Sequence, residues 1–349
     1  MPRLQSPEGT RLDPRRIAVV AAALATSILL TASASAQLPY AIDGVVPDPD
    51  CCAEFQDPFG SVNELGPVNS STTKLATISS ASPAMLEFTN PNGQTDLATI
   101  WLETRADQAG DLWLYFGWER DATSGSSVIA YEFQTAAADP ACVYAGIDQI
   151  EPENAEETAL IESCNPWSNR QPGDFMIVWD FGGGSTDIIL RTFDGVGFDA
   201  GVNLSDSGFA EAALNGDTSR GEGAINLTDA IFGAKESCVD VANVIPGTIG
   251  GNSDSADYKD TVLADIRDAL TISNCGTVKV TKVTQPAGEL GDFTFTLQRL
   301  SGADIDFSPR SEAIGTLFDD GGTAEVVVLP GTDYQLTEDL SANPTFGRV

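Results

Sequence analysis

Asp111-Leu112-Trp113-Leu114-Tyr115-Phe116-Gly117-Trp118-Glu119-Arg120 is the stretch on which the fold turns. Successive side chains of an extended chain point to opposite faces. Leu112, Leu114, Phe116 and Trp118 therefore share one face, and Trp113, Tyr115 and Glu119 share the other. Both faces are substantially apolar, which predicts a central strand covered on both sides. Outward from it, Thr99 to Leu102, Val128 to Phe133, Phe175 to Trp179 and Ile188 to Phe193 are rich in β-branched and aromatic residues and are bounded by turn formers, the pattern of strands. Helical signals are few: Ala155 to Glu162, Leu227 to Phe232 after Asn226, and Asp257 to Leu270 after Asn252-Ser253-Asp254-Ser255. The expectation is an all-β protein whose residues 37–273 form a large β-sandwich with short decorating helices, big enough for one core.

The chain has 349 residues, 18 Lys+Arg against 51 Asp+Glu, a formal charge of −33 and no histidine. Such a polyanion repels phosphate backbones and anionic headgroups, which argues against nucleic-acid binding and peripheral membrane docking. Without imidazole there is no Ser-His-Asp or Cys-His nucleophile system and no His-ligated zinc. Composition thus leans away from an enzyme. At the N-terminus, Arg11, Arg15 and Arg16 precede an apolar run from Ile17 to Leu30, and Ala32 to Ala36 ends in Ala-Ser-Ala before Gln37. Basic region, short apolar region and small-residue cleavage site read as a secretory signal peptide over residues 1–36, too short and poorly flanked for a membrane span. Arg15-Arg16 fits the twin-arginine pattern only loosely, so general secretion is favoured. Cleavage leaves 14 basic and 49 acidic residues and no membrane span in the mature chain.

All six cysteines, Cys51, Cys52, Cys142, Cys164, Cys238 and Cys275, lie beyond the signal. An even count in an exported chain points to disulfides. Sequence neighbours suggest Cys142 with Cys164 and Cys238 with Cys275. Cys51 and Cys52 are left either as a vicinal disulfide or with a partner outside this chain. No Cys-x-x-Cys pair is present to hold zinc.

After Asn274-Cys275-Gly276 the pattern changes. Val278, Val280 and Val283, then Phe293, Phe295 and Leu297, then Ala324 to Leu329 and Tyr334 to Thr337 predict four strands of a second, smaller all-β domain over residues 274–349. Lys279-Val280-Thr281-Lys282-Val283, Asp292-Phe293-Thr294-Phe295-Thr296-Leu297 and Pro330-Gly331-Thr332-Asp333-Tyr334-Gln335-Leu336-Thr337-Glu338 resemble the first, second and penultimate strands of prealbumin-like (SpaA or Cna-B type) domains of Gram-positive surface proteins and pilins. The region from Asp43-Gly44 through Trp113 and Trp118 to Asn226-Leu227-Thr228-Asp229 is similar to the large N-terminal region that accompanies such domains in actinobacterial exported proteins. The resemblance implies a surface location and a prealbumin-like β-sandwich. It also implies that Lys282 and Glu338 stand where the family places the Lys and the assisting Glu of an intramolecular isopeptide bond. This sequence departs from the family in ending at Val349 before the strand that would carry the Asn, with Asn343 in the preceding loop. The domain is therefore expected to be truncated, and Lys282 and Glu338 to form a solvated ion pair.

Asp180-Phe181-Gly182-Gly183-Gly184-Ser185-Thr186-Asp187 copies the phosphate loop of actin-like ATPases. It lacks a companion loop and any basic residue, and its flanks predict a glycine-rich hairpin. Leu329-Pro330-Gly331-Thr332 is close to a sortase motif but has Asp333 where Gly should follow and no apolar tail, so it reads as a turn. Two acid groups, Asp48, Asp50, Glu54, Asp57 and Asn252, Asp254, Asp257, Asp260, offer hard oxygen donors, with Asp254 and Asp257 the candidates for a structural calcium ion. Trp167, in a loop, is the candidate for stacking on a sugar. The expected function is a secreted or cell-surface structural or adhesion protein without catalysis. The alternative is an extracellular carbohydrate-binding or carbohydrate-active protein, and the partner an extracellular glycan or cell-wall component.

Overall fold

The structure is a computed structural model that describes residues 40–68, 73–82, 85–123, 127–151, 154–233, 238–266, 269–282, 294–299, 311–315, 323–329 and 333–339. In chain order its elements are β1 (Ala53–Gln56), β2 (Glu64–Pro67), β3 (Leu86–Thr89), β4 (Leu97–Ala106), β5 (Leu112–Arg120), β6 (Val128–Gln134), α1 (Ala155–Ser163), β7 (Phe175–Asp180), β8 (Ile188–Thr192), β9 (Val202–Asn203), β10 (Ala210–Leu214), β11 (Arg220–Asn226), β12 (Asn243–Ile249) and β13 (Tyr258–Thr261). They continue with β14 (Gly276–Thr281), β15 (Thr294–Arg299), β16 (Ser311–Gly315), β17 (Thr323–Val328) and β18 (Tyr334–Asp339). Two antiparallel sheets dominate, ordered β1-β4-β5-β11-β10 and β13-β12-β6-β7-β8-β9, with β2 and β3 forming a separate pair.

The period-two pattern decides what packs where. Ile100 and Leu102 of β4 and Leu114, Phe116 and Trp118 of β5 share one buried cluster with Ile129, Tyr131 and Phe133 of β6 and Ile177 and Trp179 of β7. Aromatic contacts dominate this layer: Trp118 stacks on Phe181 at 4.7 Å and meets Trp179 edge-on at 5.7 Å. Gly221 of β11 is required there, because a Cβ would stand 2.7 Å from both indoles. The alternate residues Val128, Ala130, Met176 and Val178 point the other way and pack with Leu75, Ile78, Trp167, Phe193, Phe198 and Tyr258. Strand β5 is also covered twice. Trp113 and Tyr115 are buried on its outer face, where Tyr40 meets Tyr115 edge-on at 4.7 Å and the Trp113 indole donates to Asp107 Oδ2 at 3.1 Å.

Helix α1 starts on a capping box. Asn154 Oδ1 accepts from the amides of Glu156 and Glu157, and Glu157 Oε2 accepts from the Asn154 amide at 2.6 Å, so two orphan donors are satisfied reciprocally. Thr228–Phe232 forms a single π-helical turn. The helix expected over Asp257 to Leu270 is absent from 257–266. Tyr258–Thr261 is instead the edge strand β13, paired with β12 through Thr248 opposite Asp260. The apparent start signal closes a turn, with the Ala256 amide donating to Ser253 O and the Gly250 amide to Asp257 O. Cross-strand pairing and the burial of Tyr258 and Asp260 override helix propensity, a weak prior.

All six cysteines pair, as Cys51–Cys52, Cys142–Cys164 and Cys238–Cys275. Beyond Cys275, β14 pairs with β17, and β15 lies between β16 and β18. Val280, Phe295 and Leu297 form a small core of their own.

Candidate functional site

Four carboxylates from distant parts of the chain meet at one margin of the large sandwich. Asp57 follows β1, Glu64 opens β2, Asp96 precedes β4 and Asp260 lies in β13. Their residues are 6%, 1%, 0% and 0% exposed. One oxygen each of Asp57, Glu64 and Asp260 can be chosen so that all three lie within 4.8 Å of one another. Strand pairing forces the meeting. The Asp57 amide donates to Ala98 O beside β4, and the Leu97 amide donates to Asp260 Oδ2 at 2.7 Å, linking the five-stranded sheet to β13.

Backbone donors satisfy only part of the cluster. Asp260 Oδ1 accepts from the Thr261 amide at 2.7 Å and Asp96 Oδ2 from the Gly60 amide at 3.0 Å. Among the described residues no donor reaches Asp57 Oδ2, Asp96 Oδ1 or either oxygen of Glu64, all of them buried. None of the four carboxylates forms an ion pair there. Burial first, and the neighbouring carboxylates second, push every one of them toward the protonated form: Asp57 far up, Glu64 up to about 10 and Asp260 up to about 7. Asp96 is pushed up to about 6, mainly by burial. Glu64 and Asp260 also face each other closely enough to share a proton. Buried oxygens of this kind take protons or a hard cation. A glycosidase-type acid pair needs access for a sugar, which these sealed side chains do not offer.

The residues singled out by sequence fall elsewhere. Asp254 bonds to Arg191 at 3.0 Å, and Asp257 to Lys74 at 2.6 Å and Lys259 at 3.4 Å. Arg191, Lys74 and Lys259 are the cationic partners the structure gives these two expected calcium ligands. Of the first acid group, Glu54 accepts from the Trp101 indole at 3.1 Å while Asp57 alone turns into the buried cluster. Trp167 is fully buried, its ring 4.7 Å from that of Tyr258. The loop position had suggested a ligand-facing indole, but the Cys164-Asn165-Pro166 turn folds it into the core behind β6 and β7. Lys282 Nζ and Glu338 Oε1 meet at 2.6 Å in a partly exposed ion pair. Asn343 lies outside the described residues. Residues 180–187 form the expected hairpin turn between β7 and β8.

Glu64 and Asp96 were not visible as site residues in the sequence, where they are two acids among many. The available signal was each acid's position directly beside an apolar strand start, Glu64-Leu65 and Asp96-Leu97-Ala98. Among the described residues no helix is long and apolar enough to cross a membrane. Comparison with protein-family models, with curated proteins and with solved structures finds no match to this chain.

Proposed function

We propose that this chain is an exported structural or adhesion protein that acts at or near the cell surface without catalysis. The observation that carries the reading is the closure of every cysteine into three pairs within the chain, the state that oxidising compartments sustain. It agrees with the basic, apolar and small-residue order of the N-terminal 36 residues. The prealbumin-like resemblance of residues 274–349 supports surface display, and the contact of Lys282 with Glu338 is consistent with that resemblance. The strong negative charge favours solubility outside the cell. The carbohydrate-binding reading loses its named residue, since Trp167 presents no face to solvent.

Surface labelling of intact cells with an antibody to the large domain, followed by fractionation, tests the proposal. The expected result is signal on the cell surface or in the medium, together with binding to a cell-wall component and no turnover of glycans. A cytosolic protein with reactive thiols, or hydrolysis that is lost on changing named carboxylates, overturns it.

A further inference from the structure

The least explained group in the molecule is Glu64. It is 1% exposed, no amide, hydroxyl or cation donates to either of its oxygens among the described residues, and the one group placed to share a proton with it is another carboxylate, Asp260. Among the same residues Asp57 Oδ2 and Asp96 Oδ1 are equally without donors, and Thr89, opposite Glu64 in the β2–β3 pair, leaves its buried hydroxyl unpartnered as well. Proteins bury such oxygens when something supplies the missing positive partner.

We propose that Asp57, Glu64 and Asp260, with Asp96 beside them, form a structural calcium site that ties together three sheets of the large domain. Three observations carry it. The spacing fits: ligand oxygens from the three residues lie within 4.8 Å of one another, and oxygens on opposite sides of a calcium ion with ordinary bonds stand about 4.6–5.2 Å apart. The donor set fits, being hard oxygen throughout. Burial selects among hard cations, because magnesium keeps several waters and takes only one or two carboxylates, whereas calcium accepts an all-protein cage of carboxylates.

Topology then gives the ion its task. Asp57 and Asp96 adjoin β1 and β4 of the five-stranded sheet, Asp260 sits on β13 at the edge of the six-stranded sheet, and Glu64 belongs to the β2–β3 pair. An ion held by all of them replaces mutual repulsion with a common bond at a margin where the Asp57 amide to Ala98 O lies within one sheet and side-chain links between the sheets include Asp260 to the Leu97 amide and Thr248 Oγ1 to Thr95 O. It closes the sandwich along this edge much as the disulfides close its loops. The carboxylates at Asp254 and Asp257 are neutralised by Arg191, Lys74 and Lys259 and serve as an internal control.

The test uses the full exported chain, stripped with EGTA and then given calcium or magnesium. Bound metal is measured after dialysis by elemental mass spectrometry and stability by calorimetry. The expected result is about one calcium per chain and a melting temperature about 5–10 °C higher at a hundredfold excess over the dissociation constant, with a distinctly smaller effect of magnesium. Glu64→Gln, which keeps the volume and removes the charge, is expected to abolish the calcium shift, and Asp57→Asn to do the same, while Asp254→Asn retains it. Absence of bound calcium in the wild-type chain, equal melting with EGTA and calcium, an equal response to magnesium, or a full calcium shift surviving in Glu64→Gln or Asp57→Asn overturns the proposal. The wild-type measurements decide it even where a variant does not fold.

Discussion

Replacing Glu132 by Gln is expected to destabilise the large domain more than almost any other single change of equal volume. Glu132 accepts from Arg170 Nε and Nη2, each at 2.8 Å, from the Tyr258 hydroxyl at 2.7 Å and from the Gln134 amide at 2.9 Å, and both members of the ion pair have side chains 0% exposed. Arg170 in turn donates to Leu75 O at 2.6 Å and lies over the rings of Phe193 and Phe198. The substitution leaves a buried guanidinium without its paired charge, which costs about 3–5 kcal/mol, and one kcal/mol shifts melting by about 2–4 °C in a domain of this size. A fall of roughly 6–20 °C follows. Calorimetry of Glu132→Leu, Arg170→Met and the double variant completes the cycle. The double variant is expected to lose about 2–3 kcal/mol less than the sum of the singles, as residues in one network do. A Glu132→Gln loss below about 1 kcal/mol, or single losses that add to within about 0.5 kcal/mol, would refute the reasoning.

Acid unfolding should show the same pair from another side. Burial raises the Glu132 carboxyl, but the Arg170 charge and the hydrogen bonds it accepts outweigh that and hold it below the usual range, so its stabilisation is present above pH 4.5 and is lost as pH falls further, a slope that Glu132→Gln removes. The buried carboxylate cluster behaves in the opposite sense in chelator: with Asp96, Asp260 and Glu64 raised to about 6, 7 and 10, their contribution is complete below pH 4 and declines as pH rises through those values, so melting temperature in EGTA is expected to fall between pH 5 and pH 9. A flat profile there would contradict it. Trp167→Ala removes a fully buried indole and is expected to cost about 3–5 kcal/mol without a specific loss of glycan retention in protein that remains folded, as measured by chemical unfolding and pull-down. Changing Cys142 and Cys164 together to Ser opens a loop of sequence separation 22, which chain entropy values at about 3 kcal/mol, read as a lower midpoint in denaturant.

The strands were legible because their periodicity is strong. Leu112 to Glu119 alternates so cleanly that both buried faces of β5 follow from it, and the β7–β8 hairpin follows from Trp179, three glycines and Ile188. Disulfide partners were legible from sequence separation alone, except that Cys51 and Cys52 required the structure to show that they pair with each other. The segment after Asp257 misled because Ser and Asp serve equally well in turns and at helix starts, and only the pairing of β13 with β12 separates the two. The carboxylate cluster was half visible. Asp57 and Asp260 stood in two acid-rich stretches about two hundred residues apart, and nothing local shows that strand order brings those stretches together. Trp167 failed for a related reason: a loop in sequence became core in space once Asn165 had bonded to Ile78 O at 3.1 Å and drawn the turn inward.

The account rests on an exported chain whose cysteines are all spent on its own bracing, and the intact mass of the protein recovered from outside the cell tests that most directly. The predicted mass is that of a chain beginning at Gln37 and lighter by six hydrogens, rising by those six on reduction. A protein confined to the cytosol at full length, with its mass unchanged by reduction, would contradict it.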